Sequence, residues 1–91
     1  MTFQPDLVND FLALFDKHKN DIRAFKGVKY LELLRDSEDP NVFFTYSIWD
    51  DAKNLELYRR SPLFIKVWST TKQYFSQPPA AWSLESQLRL P

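Results

Sequence analysis

Val42-Phe43-Phe44-Thr45-Tyr46-Ser47-Ile48-Trp49-Asp50-Asp51 is an apolar and aromatic run that ends on two carboxylates. Rings and β-branched residues over eight positions read as a strand, and Asp50 or Asp51 can accept from the free N–H groups that open a helix. A strand therefore runs straight into a helix start. Just upstream, Asp36-Ser37-Glu38-Asp39-Pro40-Asn41 is dense in turn formers and joins this strand to a second one over 28–35 as an antiparallel hairpin. Both alternation sets of the hairpin are apolar. Val28, Tyr30 and Leu34 oppose Leu31 and Leu33, and Val42, Phe44, Tyr46 and Ile48 oppose Phe43 and Trp49. A solvated face would be polar, so one face is expected under helices and the other against a second copy of the same sheet.

Working outward, Pro5 suits a first helical position, and Leu7, Phe11, Leu14, Phe15, His18, Ile22 and Phe25 recur at three- and four-residue steps. Gly27, the only glycine, follows where a left-handed residue commonly ends a helix. On the other side, Asp50 or Asp51 caps a short helix through about Arg59, and Ser61-Pro62 opens another through about Phe75. Pro78-Pro79 forbids continuation, and Trp82, Leu84 and Leu88 alternate with Ser83, Glu85, Gln87 and Arg89 as a last strand. With Met1 to Phe3 as the stub of a first strand, the order is βαββαβ, an α+β ferredoxin-like arrangement with an antiparallel sheet and all helices on one face. That first strand reads as truncated, since only four residues precede Pro5 and a central strand usually has about five or six. A longer natural start, rich in Val and Ile, is the expectation that follows.

Ninety-one residues with no repeat or linker read as one domain, 1–91. A domain of this size buries only about 60 to 65% of the surface of its unfolded chain, so a partner surface helps it. Twelve basic residues balance twelve acidic ones, which leaves no net charge to drive binding to nucleic acid or an anionic membrane. No apolar run approaches the roughly 20 residues that span a bilayer, and no signal peptide opens the chain. The chain reads as cytoplasmic. No cysteine and a single histidine exclude disulfides and thiolate metal sites and leave zinc or iron without a ligand set. No nucleotide-binding glycine motif is present, so neither metal nor cofactor is expected.

The run Gly27 to Asp36, then Asp39-Pro40, Phe43-Phe44, Trp49, Leu55, Tyr58, Ser61, Phe64 and Pro79-Ala80-Ala81-Trp82, resembles the antibiotic biosynthesis monooxygenase (ABM) family over nearly the whole chain. The resemblance implies a dimeric α+β barrel, two ferredoxin-like units joined sheet to sheet, with a ligand cleft between sheet and helices in each. It also implies oxidation of aromatic quinols by molecular oxygen without metal or flavin, or, in relatives, haem binding. This sequence departs from both patterns. Tyr58 and Leu63 stand where the quinol oxidases commonly have histidines. Trp68 stands where the haem-degrading relatives have their iron ligand, and the asparagine of their first strand would precede Met1. At matching positions, the rings of Trp49, Tyr58 and Trp68 remain.

Trp49, Tyr58, Phe64 and Trp68 are accordingly the candidate pocket, and Tyr58 the candidate catalytic residue. Each ring has an ordinary alternative as core packing. A phenol with a pKa near 10 is a poor base at neutral pH, so Tyr58 is expected to hydrogen-bond a substrate oxygen. His18, flanked by Lys17, Lys19 and Asn20, is expected at the helix boundary with solvent. Ser61 is read as a cap, without a catalytic triad around it. Two functions follow: a cofactor-independent monooxygenase acting on a small aromatic or quinol, or a non-catalytic dimeric module that binds a hydrophobic small molecule.

Overall fold

The computed structural model describes all of residues 1–91. The hairpin forms as its sequence dictates, with β2 at Val28–Arg35 and β3 at Phe43–Trp49. Leu34↔Phe44, Glu32↔Tyr46 and Tyr30↔Ile48 pair on one face, and Arg35↔Phe43, Leu33↔Thr45 and Leu31↔Ser47 on the other. The connecting turn is closed by its own carboxylates. Asp36 Oδ1 accepts from the backbone N–H groups of Glu38 and Asp39 at 2.8 and 2.9 Å, and Asp39 Oδ1 accepts from that of Asn41 at 2.9 Å. The bonds from Asp39 and Glu38 hold the Asp36 carboxyl below its ordinary pKa.

Strand β1, Thr2–Phe3, pairs antiparallel with β4, Phe75–Gln77, and its other edge bridges Thr2 to Val42. Phe3 N–H donates to Asn41 O and Phe43 N–H to Met1 O, both at 2.9 Å. The strands thus run in the order β4-β1-β3-β2, every neighbour antiparallel, which is the split βαβ arrangement. A single 3₁₀ turn, Pro5–Leu7, leads into α1, Val8–Arg23. Helix α2, Ala52–Arg59, is capped by Asp51, whose carboxylate accepts from Lys53 N–H at 2.8 Å. Helix α3, Pro62–Thr71, is capped by Ser61, whose Oγ accepts from Phe64 N–H at 3.1 Å and donates to Tyr58 O at 2.6 Å. The Ser61 hydroxyl therefore ties the two helices together at their junction.

Between α1 and the sheet lies a small core of Phe3, Val8, Phe11 and Phe43, with Leu33, Phe15 and Phe75 against it. Phe3 stacks on Phe11 with ring centroids 4.2 Å apart and meets Phe43 and Phe75 at 5.8 and 5.2 Å. The opposite sheet face is uncovered. Tyr30, Leu34, Phe44 and Tyr46 are 40 to 46% exposed there. No helix is long and apolar enough to cross a membrane.

Gly27 has φ of 90°, a conformation costly for any residue with a Cβ, and a Cβ there would run into the side chain of Asn54. Its carbonyl also accepts from Asp50 N–H at 2.7 Å, which fixes the start of β2 against the end of β3. Gly27→Ala is expected to destabilise the chain by about 2 kcal/mol, through backbone strain and displacement of Asn54. Thermal and urea melts of the two proteins check it, and an unchanged midpoint would mean the turn relaxes freely.

Three expectations are corrected by the structure. The last strand is Phe75–Gln77, directly before Pro78, whereas residues 82–88 are in no strand and Trp82, Leu84 and Leu88 are exposed. Alternation marks an extended segment, but a strand also needs a neighbour, and this chain offers none to that stretch. Helix α3 stops at Thr71 and a 3₁₀ turn, Lys72–Tyr74, tightens its end, so Phe75 belongs to the sheet. His18 is buried, at 6% exposure. The buried residues of α1 are Val8, Phe11, His18 and Ile22, one stripe at helical spacing, while Lys17 and Lys19 lie about 100° to either side of it. Flanking charges say little about a helical residue's own direction.

An aromatic cleft between the sheet and its helices

At the end of β3, Trp49 leaves the sheet just before the cap of α2, and Tyr58 sits one turn before the junction with α3. Their ring centroids are 5.4 Å apart. From Tyr58 the contacts continue to Phe64 at 5.2 Å and from Phe64 to Trp68 at 5.8 Å, the last pair stacked within 12° of parallel. The four candidate residues thus form one contiguous row. The spacing explains part of this: Phe64 and Trp68 are four apart on α3 and share a face. The rest comes from the bend at Ser61, which turns α3 so that Phe64 meets Tyr58.

Two further rings complete the row, and the sequence did not single them out for it. Phe25 packs edge-on against Tyr58 at 5.2 Å and against Trp49 at 6.4 Å. Phe75 of β4 meets Trp68 at 5.5 Å. Phe25 carried a signal, as the last apolar member of the first helical stripe. Phe75 carries none, because it continues the helical stretch that Ser61-Pro62 opens.

Trp49, Tyr58, Phe64 and Trp68 line part of an open cavity of about 1550 Å³ that also reaches Thr45, Ser47 and Thr71 and extends to Tyr30, Phe44 and Tyr46 of the outer sheet face, whereas Phe25 and Phe75 pack against the row without lining it. Some of the cavity's polar groups are engaged within the protein. Trp49 Nε1–H donates to Ser47 Oγ at 2.9 Å, and the Thr71 hydroxyl donates to Val67 O at 2.8 Å. The Tyr58 hydroxyl pairs with no protein group, and burial pushes its pKa above the ordinary phenol value. At neutral pH it is a neutral phenol, able to donate and unsuited to act as a base. His18 does not line the cavity. No cluster of histidine and carboxylate side chains is arranged to hold a metal ion. Trp68, at the place of the haem ligand in related patterns, presents an indole stacked on Phe64 and offers iron no lone pair.

An antiparallel β4-β1-β3-β2 sheet with helices on one face and an aromatic cleft beneath them defines a ferredoxin-like α+β protein. The sequence matches the antibiotic biosynthesis monooxygenase profile over residues 1–68, and the chain belongs to that family. Its fold is similar to that of a conserved protein from Methanosarcina mazei Go1, at TM-score 0.80 and 17% identity over 85% of this chain and 76% of that one. A protein from Mycobacterium tuberculosis aligns at TM-score 0.80 and 19% identity, over 96% of this chain and 91% of its own. A crystal structure of an antibiotic biosynthesis monooxygenase aligns at TM-score 0.79 and 18% identity, over 85% and 81%. At these identities the likeness concerns the fold. No curated protein matches the sequence.

Proposed function

We propose that the protein is a cofactor-independent monooxygenase of the cytoplasm that oxidises a small aromatic or quinol-type substrate with molecular oxygen, and that it works as a homodimer joined through its sheet faces. The observation that carries the reading is the row Trp49, Tyr58, Phe64 and Trp68 with one unpaired hydroxyl, that of Tyr58, among its rings. The domain is the whole chain, 1–91. The family to which it belongs supports the oxygenase class.

The chemistry balances without a further reductant. A quinol and O₂ give a hydroxyquinone and water: one oxygen atom ends on the ring, the other in water, and the quinol supplies all four electrons. The rings stack on the substrate and keep water from it, while the Tyr58 hydroxyl donates to a substrate oxygen and fixes which ring carbon faces dissolved O₂. Because burial raises the Tyr58 pKa, this donor persists across neutral pH and is lost only above the ordinary phenol range near pH 10.

Tyr58→Phe removes the donor and leaves the ring. The expected result is a fall in kcat of about tenfold to a hundredfold, with quinol affinity largely kept and the melting temperature unchanged, since the hydroxyl has no partner within the protein. Oxygen-electrode assays of a quinol panel, with and without enzyme and with and without air, test the activity itself. Absence of any enzyme- and oxygen-dependent turnover removes the oxygenase reading. A quinol that still raises the melting temperature without turnover would identify a binding module instead.

A further inference from the structure

The large cavity is mostly apolar, and its charged side chains come from two places. Glu85 and Arg89 reach it from the segment after β4, and Arg59 from the last turn of α2. Arg59 is therefore the one charged side chain that the helices and strands contribute. The chain as a whole carries no net charge, whereas Arg59 and Arg89 against Glu85 leave the cavity lining with an excess of one positive charge. The amine of Met1, which also borders the cavity, donates to Phe43 O at 2.8 Å.

The place of Arg59 on its helix gives that charge a direction. Ala52, Leu55, Tyr58 and Arg59 recur at three- and four-residue steps and form the stripe of α2 that faces the cavity. Where an amphipathic helix would end such a stripe on an apolar residue, this one ends on a cation. Within the protein the cation is weakly matched. Glu56 Oε1 lies 3.9 Å from its Nη1, beyond hydrogen-bond reach, and the two side chains are 60% and 45% exposed, so the pair contributes little. One residue earlier stands Tyr58, whose hydroxyl has no protein partner. Two free donors thus share one helical stripe: a phenol within the row of rings, and a guanidinium at its solvent-facing rim.

We infer that the cleft takes an aromatic acid, its ring among Trp49, Tyr58, Phe64 and Trp68 and its carboxylate at the rim on the Arg59 guanidinium. This rests on the aromatic-substrate reading above and narrows it, for the oxygenase, to hydroxylated aromatic carboxylates. The planar guanidinium offers two parallel N–H groups that match the two oxygens of a carboxylate. Charge selects a monoanion: one carboxylate balances the lining, whereas a phosphate dianion would leave an uncompensated charge in an apolar cavity. At the rim the carboxylate also keeps part of its hydration, so the pair forms without full desolvation of either ion. Arg89 is the other cation of the lining, but it lies in a stretch with no helix or strand. Arg59 stands on a helix whose start is capped by Asp51, which presents its guanidinium already in place.

Titration calorimetry at neutral pH with naphthoate and its uncharged isostere naphthamide tests the assignment without needing turnover. The unaltered protein is expected to bind the acid about tenfold more tightly than the amide, the size of a charge-assisted hydrogen bond reduced by solvent exposure. Arg59→Met keeps an apolar stem and removes the charge. It should bind acid and amide equally, with the affinity for the amide and the melting temperature unchanged, since Arg59 has no close partner to lose. Arg89→Met should keep the preference for the acid. Equal binding of the two probes by the unaltered protein overturns the assignment, as does a preference that survives Arg59→Met or disappears in Arg89→Met. Failure of both probes to bind at their solubility limit overturns the aromatic-substrate reading and the assignment with it. An Arg59-dependent preference in a protein without oxygen-dependent turnover supports the acid site and removes the oxygenase reading alone.

Discussion

Phe3→Ala is expected to lower the urea midpoint by roughly 2 to 3 M, the largest effect of any single substitution in this chain. Phe3 is 1% exposed, and three rings surround it: Phe11 stacked at 4.2 Å, Phe75 at 5.2 Å and Phe43 at 5.8 Å. Truncating a ring so enclosed costs about 3 to 5 kcal/mol, because the transfer energy is lost and the cavity cannot collapse between elements held by hydrogen bonds. The topology deepens the effect. Phe3 lies on a two-residue strand that joins β4 to β3, so loosening it separates the two halves of the sheet. A chain of this length has roughly 5 to 14 kcal/mol of stability to lose. Phe44→Ala is the control, since Phe44 is 45% exposed on the uncovered face and its loss should cost well under half as much to a single copy. Urea titrations followed by circular dichroism at a low, fixed concentration compare them. Equal midpoints for the two variants would show that the core is not centred on Phe3.

The elements whose boundaries depend on local chemistry were legible in the sequence. Gly27 before Val28, the carboxylate-rich turn after Arg35, Asp51 before α2 and Ser61-Pro62 before α3 each act on their nearest neighbours, and each sits where its chemistry places it. The elements that depend on remote partners were not. Trp82, Leu84 and Leu88 have the alternation of a strand, but pairing is a property of two segments, and no segment of this chain pairs with them. Phe75–Gln77 shows no such alternation over three residues and becomes a strand because Thr2 and Phe3 lie beside it. The candidate cleft divides the same way. Trp49, Tyr58, Phe64 and Trp68 could be gathered from spacing along one hairpin and two adjoining helices. Phe25 and Phe75 join them only through tertiary packing, which no short-range pattern records.

The pair Phe44→Lys and Tyr46→Lys is expected to convert the proposed dimer into a folded monomer. Both residues lie on the sheet face away from the helices, opposite Leu34 and Glu32 of β2, and both are about half exposed in a single copy. Lysine in a monomer keeps its ammonium in water there, and its stem covers part of the apolar surface that the rings covered. The loss of the Tyr30–Tyr46 edge contact, at 5.9 Å, costs the single copy little. In a two-fold sheet-to-sheet dimer the same change places four ammonium groups in one apolar interface without carboxylates in number to meet them. Desolvation costs several kcal/mol for each ion, far more than an interface of ordinary size can offset. The variant should therefore halve the mass measured by light scattering, keep its circular dichroism, and melt at a temperature independent of concentration. The unaltered protein should melt higher as concentration rises, because association favours the folded form. A lysine variant that retains the full dimer mass would place the interface elsewhere on the molecule, and the apolar sheet face would then need a different occupant.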